Sequence, residues 1–417
     1  MAWLSSASLC LADTPPCLPL DTALALAVAD NPNLAQLQAR AKALAAIPSQ
    51  VDALPDPTLS LKALNLPVDS FDIGQEAMTQ LQFGLTQTLP FPGKRELTAQ
   101  AAQFDAAAAS RDIDEARTQL LHSVSQSWWA LWYLDHVLEI IEANQALLKQ
   151  FVDIALTQYQ VGEGLQQDVL LAQLEQSQLL NQKLQFTGAR QQTLARLNAL
   201  LNRPSDTPIT PPPQPDKALP TLLPEAQLLT RAEQHRAQLA ARHAQVQAAQ
   251  ARLQRAEQDY YPDLTLGIAY GVRDNTPAQT ARADFLSVQM SVNVPVFFAA
   301  KQDQQVVQRS QELARQKYLL QDQWNQIRAD IASAASRFQQ AKSQVTLFKT
   351  GIIPQARQTV ASMLAGYQVG KVDFLNLVRS QIALHNHQTQ YWQALSQARQ
   401  SIAELTALVG AEVIDAP

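Results

Sequence analysis

Tyr159-Gln160-Val161-Gly162 returns as Tyr367-Gln368-Val369-Gly370, 208 positions later in a chain of 417 residues. Two further echoes run in step with it. Pro55-Asp56-Pro57-Thr58-Leu59 matches Pro262-Asp263-Leu264-Thr265-Leu266 at an offset of 207, and Leu89-Pro90-Phe91 matches Val294-Pro295-Val296 at 205. Three echoes at nearly one spacing mark a tandem duplication, in which each half builds the same unit.

Each half reads as helix, strand, strand, long helix, turn, helix. The first repeat is assigned to 20–202. A helix opens it, with Asp21 as N-cap and Asn31-Pro32 as a break before Pro48. From Thr58 the hydrophobic period changes to two. Leu59, Leu61 and Ala63 share one face, Ser60 and Lys62 the other, which predicts strands over 58–65 and 79–88. Between Gly93 and Gly162 there is neither Gly nor Pro. That predicts a helix over 94–158, roughly 100 Å long at about 1.5 Å per residue. Leu121, Val124, Trp128, Leu131, Leu134, Leu138, Ile141, Leu148, Val152, Ala155 and Tyr159 keep a three–four spacing, with Gln145 as the gap. This is a coiled-coil seam rather than an ordinary amphipathic face. The tip spans 159–165, with Gly162 and Gly164 free to take positive φ, and a return helix runs over 166–201.

Residues 203–224 hold eight prolines and predict an extended linker. The second repeat, 225–410, restates the order. It has a helix over 225–259, strands over 263–272 and 284–294, and a long helix over 299–366 kinked near Gly351–Pro354. A tip at 367–373 comes next, then a helix over 373–409 with Asp373 as its N-cap, and a tail at 411–417. Residues 1–19 form an N-terminal segment. Met1–Ala12 reads as a leader without a positive n-region, with a lipidated Cys10 as the alternative. Both cysteines, Cys10 and Cys17, lie in the first 17 residues, so neither a core disulfide nor a thiolate metal site is expected.

A net charge of −5 without a basic run gives no footing for nucleic acid. No apolar run is long enough for a membrane-spanning helix. Strands of 9–11 residues with one apolar and one small or polar face have the dimensions of an outer-membrane barrel. Four strands cannot close a barrel alone, and open edges are not tolerated in lipid, so several chains must pool strands. Two chains give a barrel filled by its own side chains, and three give a water-filled lumen. A helix of such length fits a stave of a tube and not a globule. The predicted class is therefore mainly α with a small β part: long coiled-coil helices plus four membrane strands.

Ile352-Ile353-Pro354-Gln355-Ala356, Tyr367-Gln368-Val369-Gly370-Lys371 and Asp373-Phe374-Leu375 resemble the second repeat of the TolC-like outer-membrane efflux family. Leu20-Asp21-Thr22-Ala23-Leu24 with Asn31-Pro32 resembles that family's start, and the likeness covers roughly 20–411. Leu89-Pro90-Phe91-Pro92-Gly93-Lys94-Arg95 is similar to the CzcC-like heavy-metal branch. The resemblance implies a homotrimeric passive duct in a Gram-negative outer membrane: a 12-stranded barrel on a periplasmic α-helical barrel. It further implies a periplasmic adaptor and an inner-membrane RND-type pump as partners, with heavy-metal cations as cargo; drug efflux and type I protein secretion are the alternatives. Tyr159, Val161, Gly162, Tyr367, Val369 and Gly370 are implied as adaptor-contacting tips. Many members carry an acidic residue nine positions after the second Tyr; here that position is Asn376, with Arg379 beyond it and Asp168 as the counterpart in the first repeat. These three are the expected gate residues at the periplasmic mouth.

No catalytic motif, P-loop or dinucleotide fingerprint is present, so no enzyme, cofactor or metal site is expected. His385 and His387, two apart on a helix, point to different faces and read as packed or solvated. Trp128, Trp129 and Trp132 read as seam packing, and Asp112, Asp114 and Glu115 as a solvated face near a helix start. A periplasmic coiled-coil adaptor or structural rod is the competing class, but it would carry one hairpin and not two copies with membrane-length strands.

Overall fold

The computed structural model describes residues 17–211, 218–276 and 278–414. Most of the leader with Cys10, part of the linker (212–217) and the last residues of the tail (415–417) lie outside the described residues. Cys17 is exposed and free. The chain divides into two compact units, and the division cuts across the two repeats. One unit holds residues 37–112 and 238–324; the other holds the remainder, mainly 113–237 and 325–417.

In the first of these units four strands form one antiparallel sheet in the order β1-β2-β3-β4. They are β1 (Thr58–Leu64), β2 (Gln80–Leu89), β3 (Leu264–Val272) and β4 (Phe285–Val292). The strands are shorter than the expected 9–11 at two places, because β1 has seven residues and β4 eight. β1 stops before residue 65 because Asn65 adopts φ 52°, outside the strand region. The duplication is written into the register. Thr58 pairs with Thr86 in the first hairpin, and Thr265 pairs with Ser291 in the second. Those pairs are related by 207 on one strand and 205 on the other, the two offsets of the sequence echoes. Leu85 lies opposite both Leu59 and Ile268, and Ile268 opposite Val288, so one face of the sheet is apolar across all four strands. That face is open: Leu59 is 79% and Val288 80% exposed.

The β2-to-helix corner is tied to the start of β3 by a buried lysine. Gly93 turns the chain at φ +90°. Lys94, 4% exposed at its side chain, donates to the Tyr261 carbonyl and to Asp263 Oδ1, both at 2.8 Å, and lies 3.6 Å from Asp259. Phe91 N–H also donates to Asp263, and the Phe91 ring stacks on Tyr261 at 4.6 Å. Burial raises the pKa of Asp263, but hydrogen bonds from Lys94 and Phe91 and the charges of Lys94 and Arg255 outweigh it and hold the carboxyl below the usual range. The Leu89–Arg95 phrase is thus a structural corner.

Long helices form the second unit. Among the described residues the α-helices are α1 (Leu20–Ala29), α2 (Pro32–Ala45), α3 (Ile47–Asp52), α4 (Lys94–Gln160), α5 (Gln166–Leu200), α6 (Glu225–His235), α7 (Ala237–Glu257), α8 (Gln302–Leu347), α9 (Ile353–Gln368) and α10 (Phe374–Val409). α4 runs unbroken. Its image at the 208 offset is broken once, by a π turn at Phe348–Ile352 between α8 and α9. Pro354 stands in the first turn of α9. It brings no N–H to the ladder, and a π turn absorbs the register change as a kink would.

The helix expected over 225–259 is two helices, α6 and α7, parted at Arg236. No Gly or Pro marks the break; a tertiary contact makes it. Arg236, buried in the second unit, donates to the Ala407 carbonyl near the end of α10 and to Glu115 at 2.8 Å. Gly410, at φ +72°, ends α10 so close to the His235 carbonyl that a Cβ would stand 2.8 Å from it. Glu115 is therefore an ion-pair partner in the middle of α4 and not part of a solvated face near a helix start. Asp21 is not a cap either: α1 begins at Leu20 after Pro19.

The seam of α4 keeps its expected course at Val124, Trp128, Leu131, Leu134, Ile141, Leu148 and Ala155. It departs at Val137 and Phe151, buried one position before the expected Leu138 and Val152, and Asn144 is buried beside the gap expected at Gln145. Asn144 fills the gap with a polar pair: its Oδ1 accepts from Gln381 Nε2 at 2.6 Å, and its Nδ2 donates to Ile140 O. Trp128, Trp129 and Trp132 pack in the core with Ala23, Ala27, Leu197 and Leu395. The linker's described ends are docked, through bridges from Thr210 to Cys17 and from Leu222 to Ile414.

Lys94→Met leaves Asp263 and Asp259 without their ammonium partner. We expect a loss of about 2–3 kcal/mol at pH 7, seen as a lower thermal midpoint in detergent. Because the folded pKa of Asp263 is depressed, its contribution is present above the unfolded value of ~3.9 and fades as pH falls through the folded value. The gap between the variant and the parent should therefore narrow in acid; a gap independent of pH contradicts the assignment.

Candidate functional site at the helical tips

Both YQVG phrases end a long helix by the same hydrogen bonds. In the first, Gly162 N–H donates to Tyr159 O and Glu163 N–H to Gln158 O; in the second, Gly370 N–H donates to Tyr367 O and Lys371 N–H to Gly366 O. This pair of bonds, six-to-one outside five-to-two, is a Schellman ending, and it needs a residue with positive φ. Gly162 supplies φ +79° and Gly370 +68°. The valine of each phrase is left outside, with Val161 and Val369 both 65% exposed. An exposed apolar residue on a rigid turn, twice per chain, is a contact surface in waiting.

The two tyrosines part company. Tyr159 is 45% exposed, whereas Tyr367 is 5% exposed. The residue after the turn decides this. Phe374 opens α10 and packs its ring 5.2 Å from Tyr367 and 6.5 Å from Phe151; its counterpart in the first repeat is Gln166. Tyr367 joins the core of Val169, Ala172, Leu377 and Val378. Its hydroxyl is buried without a hydrogen-bond partner.

Asp168 sits in the first turn of α5, half-buried, its N–H bonded to Leu165 O at 3.0 Å. Burial raises its pKa, a hydrogen bond that its carboxylate accepts from the Leu165 backbone opposes that, and the charge of Asp373 raises it further. Asp168 in turn, after burial itself, raises the pKa of Tyr367. Asp168, Asp373 and Tyr367 therefore form one electrostatic group across the two hairpins. Asp373 was expected as a side-chain cap. It holds the N-cap position of α10, but its carboxylate makes no capping hydrogen bond, and its charge acts on Asp168 instead. Asn376 and Arg379 are exposed on α10, three apart and on one face. Within the chain the structure does not bring Arg379 into an ion pair with Asp168. Sequence reasoning missed Asp373 as an acid of this group, though its place facing Leu165 in the repeat alignment was the available signal. It also missed Asn144 with Gln381, since neither residue type announces a buried pair.

Among the described residues no cluster of three or more His, Cys, Asp or Glu is arranged to hold a metal ion. His385 is buried, its Nε2 3.3 Å from Gln182 Oε1, and burial lowers its pKa. His387 meets Gln390 instead.

Tyr367→Ala should cost about 3 kcal/mol through the cavity it leaves, and Tyr159→Ala well under about 1 kcal/mol. Tyr367→Phe removes an unpaired buried hydroxyl and should be neutral or stabilising. Denaturation midpoints of the three variants test the asymmetry; equal losses at the two tyrosines contradict it.

The chain belongs to the outer membrane efflux protein family, whose profile matches residues 23–203 and 228–411. It is similar to the cobalt-zinc-cadmium resistance protein CzcC of Cupriavidus metallidurans, with 21% identity over 395 residues, 94% of this chain and 90% of that protein. Its fold is that of the outer membrane protein VceC from Vibrio cholerae, at a TM-score of 0.80 and 18% identity, with 94% and 96% of the two chains covered. CusC, described as forming a transmembrane channel, gives a TM-score of 0.80 at 16% identity, with 94% and 92% covered. The protein is thus an outer membrane efflux protein with the fold of these outer-membrane proteins.

Proposed function

We propose that this outer membrane efflux protein is the passive exit duct of a tripartite pump, assembled from three copies and exporting heavy-metal cations. The observation that carries the trimer is the sheet. It has two open edges and an exposed apolar face, and three copies supply the twelve strands that close a barrel around a water-filled lumen. The helical tips carry the rest of the reading. Tyr159, Val161 and Gly162, with Tyr367, Val369 and Gly370, offer two rigid turns per copy to a periplasmic adaptor, which links the duct to an inner-membrane RND-type pump. The cation cargo is supported by the similarity to CzcC.

Asp168, Asn376 and Arg379 are assigned to the gate. In a trimer each becomes a ring of three at the mouth, where charges set the field for small ions. Arg379 of one copy is free to meet Asp168 of the next, since the pair is not formed inside one chain. Asp168, crowded by burial and by Asp373, accepts a proton more readily than an ordinary aspartate. Its negative charge is therefore lost early as pH falls.

Single-channel recording tests the gate. Asp168→Ala and Arg379→Ala should each raise resting conductance severalfold. The acid dependence of the parent's closure should vanish in Asp168→Asn. Unchanged closure in both alanine variants would sink the assignment. Cargo is tested by plating a deletion strain on Zn, Co, Cd, Cu and Ag and on a drug panel. Sensitivity to metals alone is expected, and sensitivity to drugs alone overturns the cation reading.

A further inference from the structure

Among the described residues, the four strands carry one charged side chain, Lys62. It lies on the polar face of β1, opposite Gln82 and two residues from Ser60. We propose that Lys62 is the residue that sets ion preference in the barrel lumen: three copies place three ammonium groups in one ring and favour anions over cations at that level. The proposal rests on the trimeric duct described above.

The lumen side is assigned by the pleat. Leu59 and Leu61 lie on the apolar face, which lipid must cover, so Lys62 on the other face points into water. The duplication determines the strand that faces it across the seam between copies. The β2–β3 ladder inside the chain is the repeat's image of the β4–β1 ladder that joins neighbouring copies. The sequence echoes set the translation, 205 carrying β2 onto β4 and 207 carrying β1 onto β3, and the two hairpin registers agree with it. The observed pair Leu85↔Ile268 then becomes Met290 against Leu61 of the partner subunit, and Thr86↔Gly267 becomes Ser291 against Ser60 of the partner subunit. Apolar residues meet apolar and polar meet polar, as a closed barrel requires. Gly84↔Ala269 becomes Gln289 against Lys62 of the partner subunit. A glutamine therefore stands on each side of the lysine, and no carboxylate on any strand neutralises it.

The ring is small enough for the charge to act. Carried round three copies, this register advances about twelve residues, which for twelve strands tilts them roughly 35° and gives a backbone radius of about 10 Å. At physiological salt the screening length is about 8 Å, so the three ammonium groups overlap across the lumen. Asp69, Asp72 and Glu76 lie beyond the strand in the β1–β2 loop; they colour the outer mouth, whereas Lys62 acts inside it.

The test uses the full protein in outer-membrane vesicles and approaches from the outer face, so a closed periplasmic mouth does not matter. Ser60→Cys is labelled with anionic and cationic thiosulfonates of matched size, over the parent's own cysteines as background. With Lys62 present the anionic reagent should be favoured. Lys62→Gln should lower the anionic-to-cationic rate ratio about threefold at low salt, Lys62→Arg should keep it, and ~1 M salt should erase the difference. A ratio unchanged in Lys62→Gln overturns the proposal, and so does a Ser60→Cys that neither reagent reaches. The trimer reading is tested apart from it. Ser60→Cys with Ser291→Cys should oxidise to a ladder ending at three copies, since directly opposed residues fall within disulfide reach. No ladder, with labelling intact, contradicts the closing seam instead.

Discussion

Four strands that present apolar side chains on one face and unpaired backbone on two edges cannot be a finished structure. Backbone groups without partners are costly in water when buried and more costly in hydrocarbon. Every other feature of the sheet serves to complete it. The alternation puts Leu59, Phe83, Ile268 and Val288 where lipid can cover them. The two hairpins keep one register, so the seam inside a chain can serve as the pattern for the seam between chains. Lys94, buried among Tyr261, Asp259 and Asp263, fixes the angle at which the sheet gives way to helix.

The helical unit solves a different problem with the same duplicated text. Its long helices hold together by a largely apolar seam, in which Asn144 is answered by Gln381 across the core. A buried polar pair of this kind contributes to choosing one register among several near-equivalent ones. At the far end the two identical turns lead into different residues. Phe374 draws Tyr367 inward, while Tyr159, whose turn leads into Gln166, stays outside. Two like-sounding tips thus have one anchored and one adaptable aromatic residue, which is a useful difference where a hairpin has to move.

Much of this was legible in the sequence because it rests on period and punctuation. A period of two located all four strands to within two residues. The absence of Gly and Pro announced α4, and the twin glycines announced both turns. What escaped was decided by contacts between distant segments. Arg236 splits α6 from α7 with no local breaker, because its guanidinium satisfies the end of α10 and Glu115. The seam of α4 differs only locally, at Val137 and Phe151, because a three–four spacing can be threaded through neighbouring columns of a helix that is apolar on more than one. The role of Asp373 was hidden for the same reason: a cap is a local inference, and the charge of Asp168 belongs to another hairpin.

The central claim is that the chain completes itself by pooling strands with two copies of itself. Its most direct test is the native mass of the protein extracted from an outer-membrane fraction in mild detergent. Three times the chain's 45.9 kDa, collapsing to one chain on heating, is the result expected. A protein that leaves the membrane fraction as a stable monomer would contradict the account.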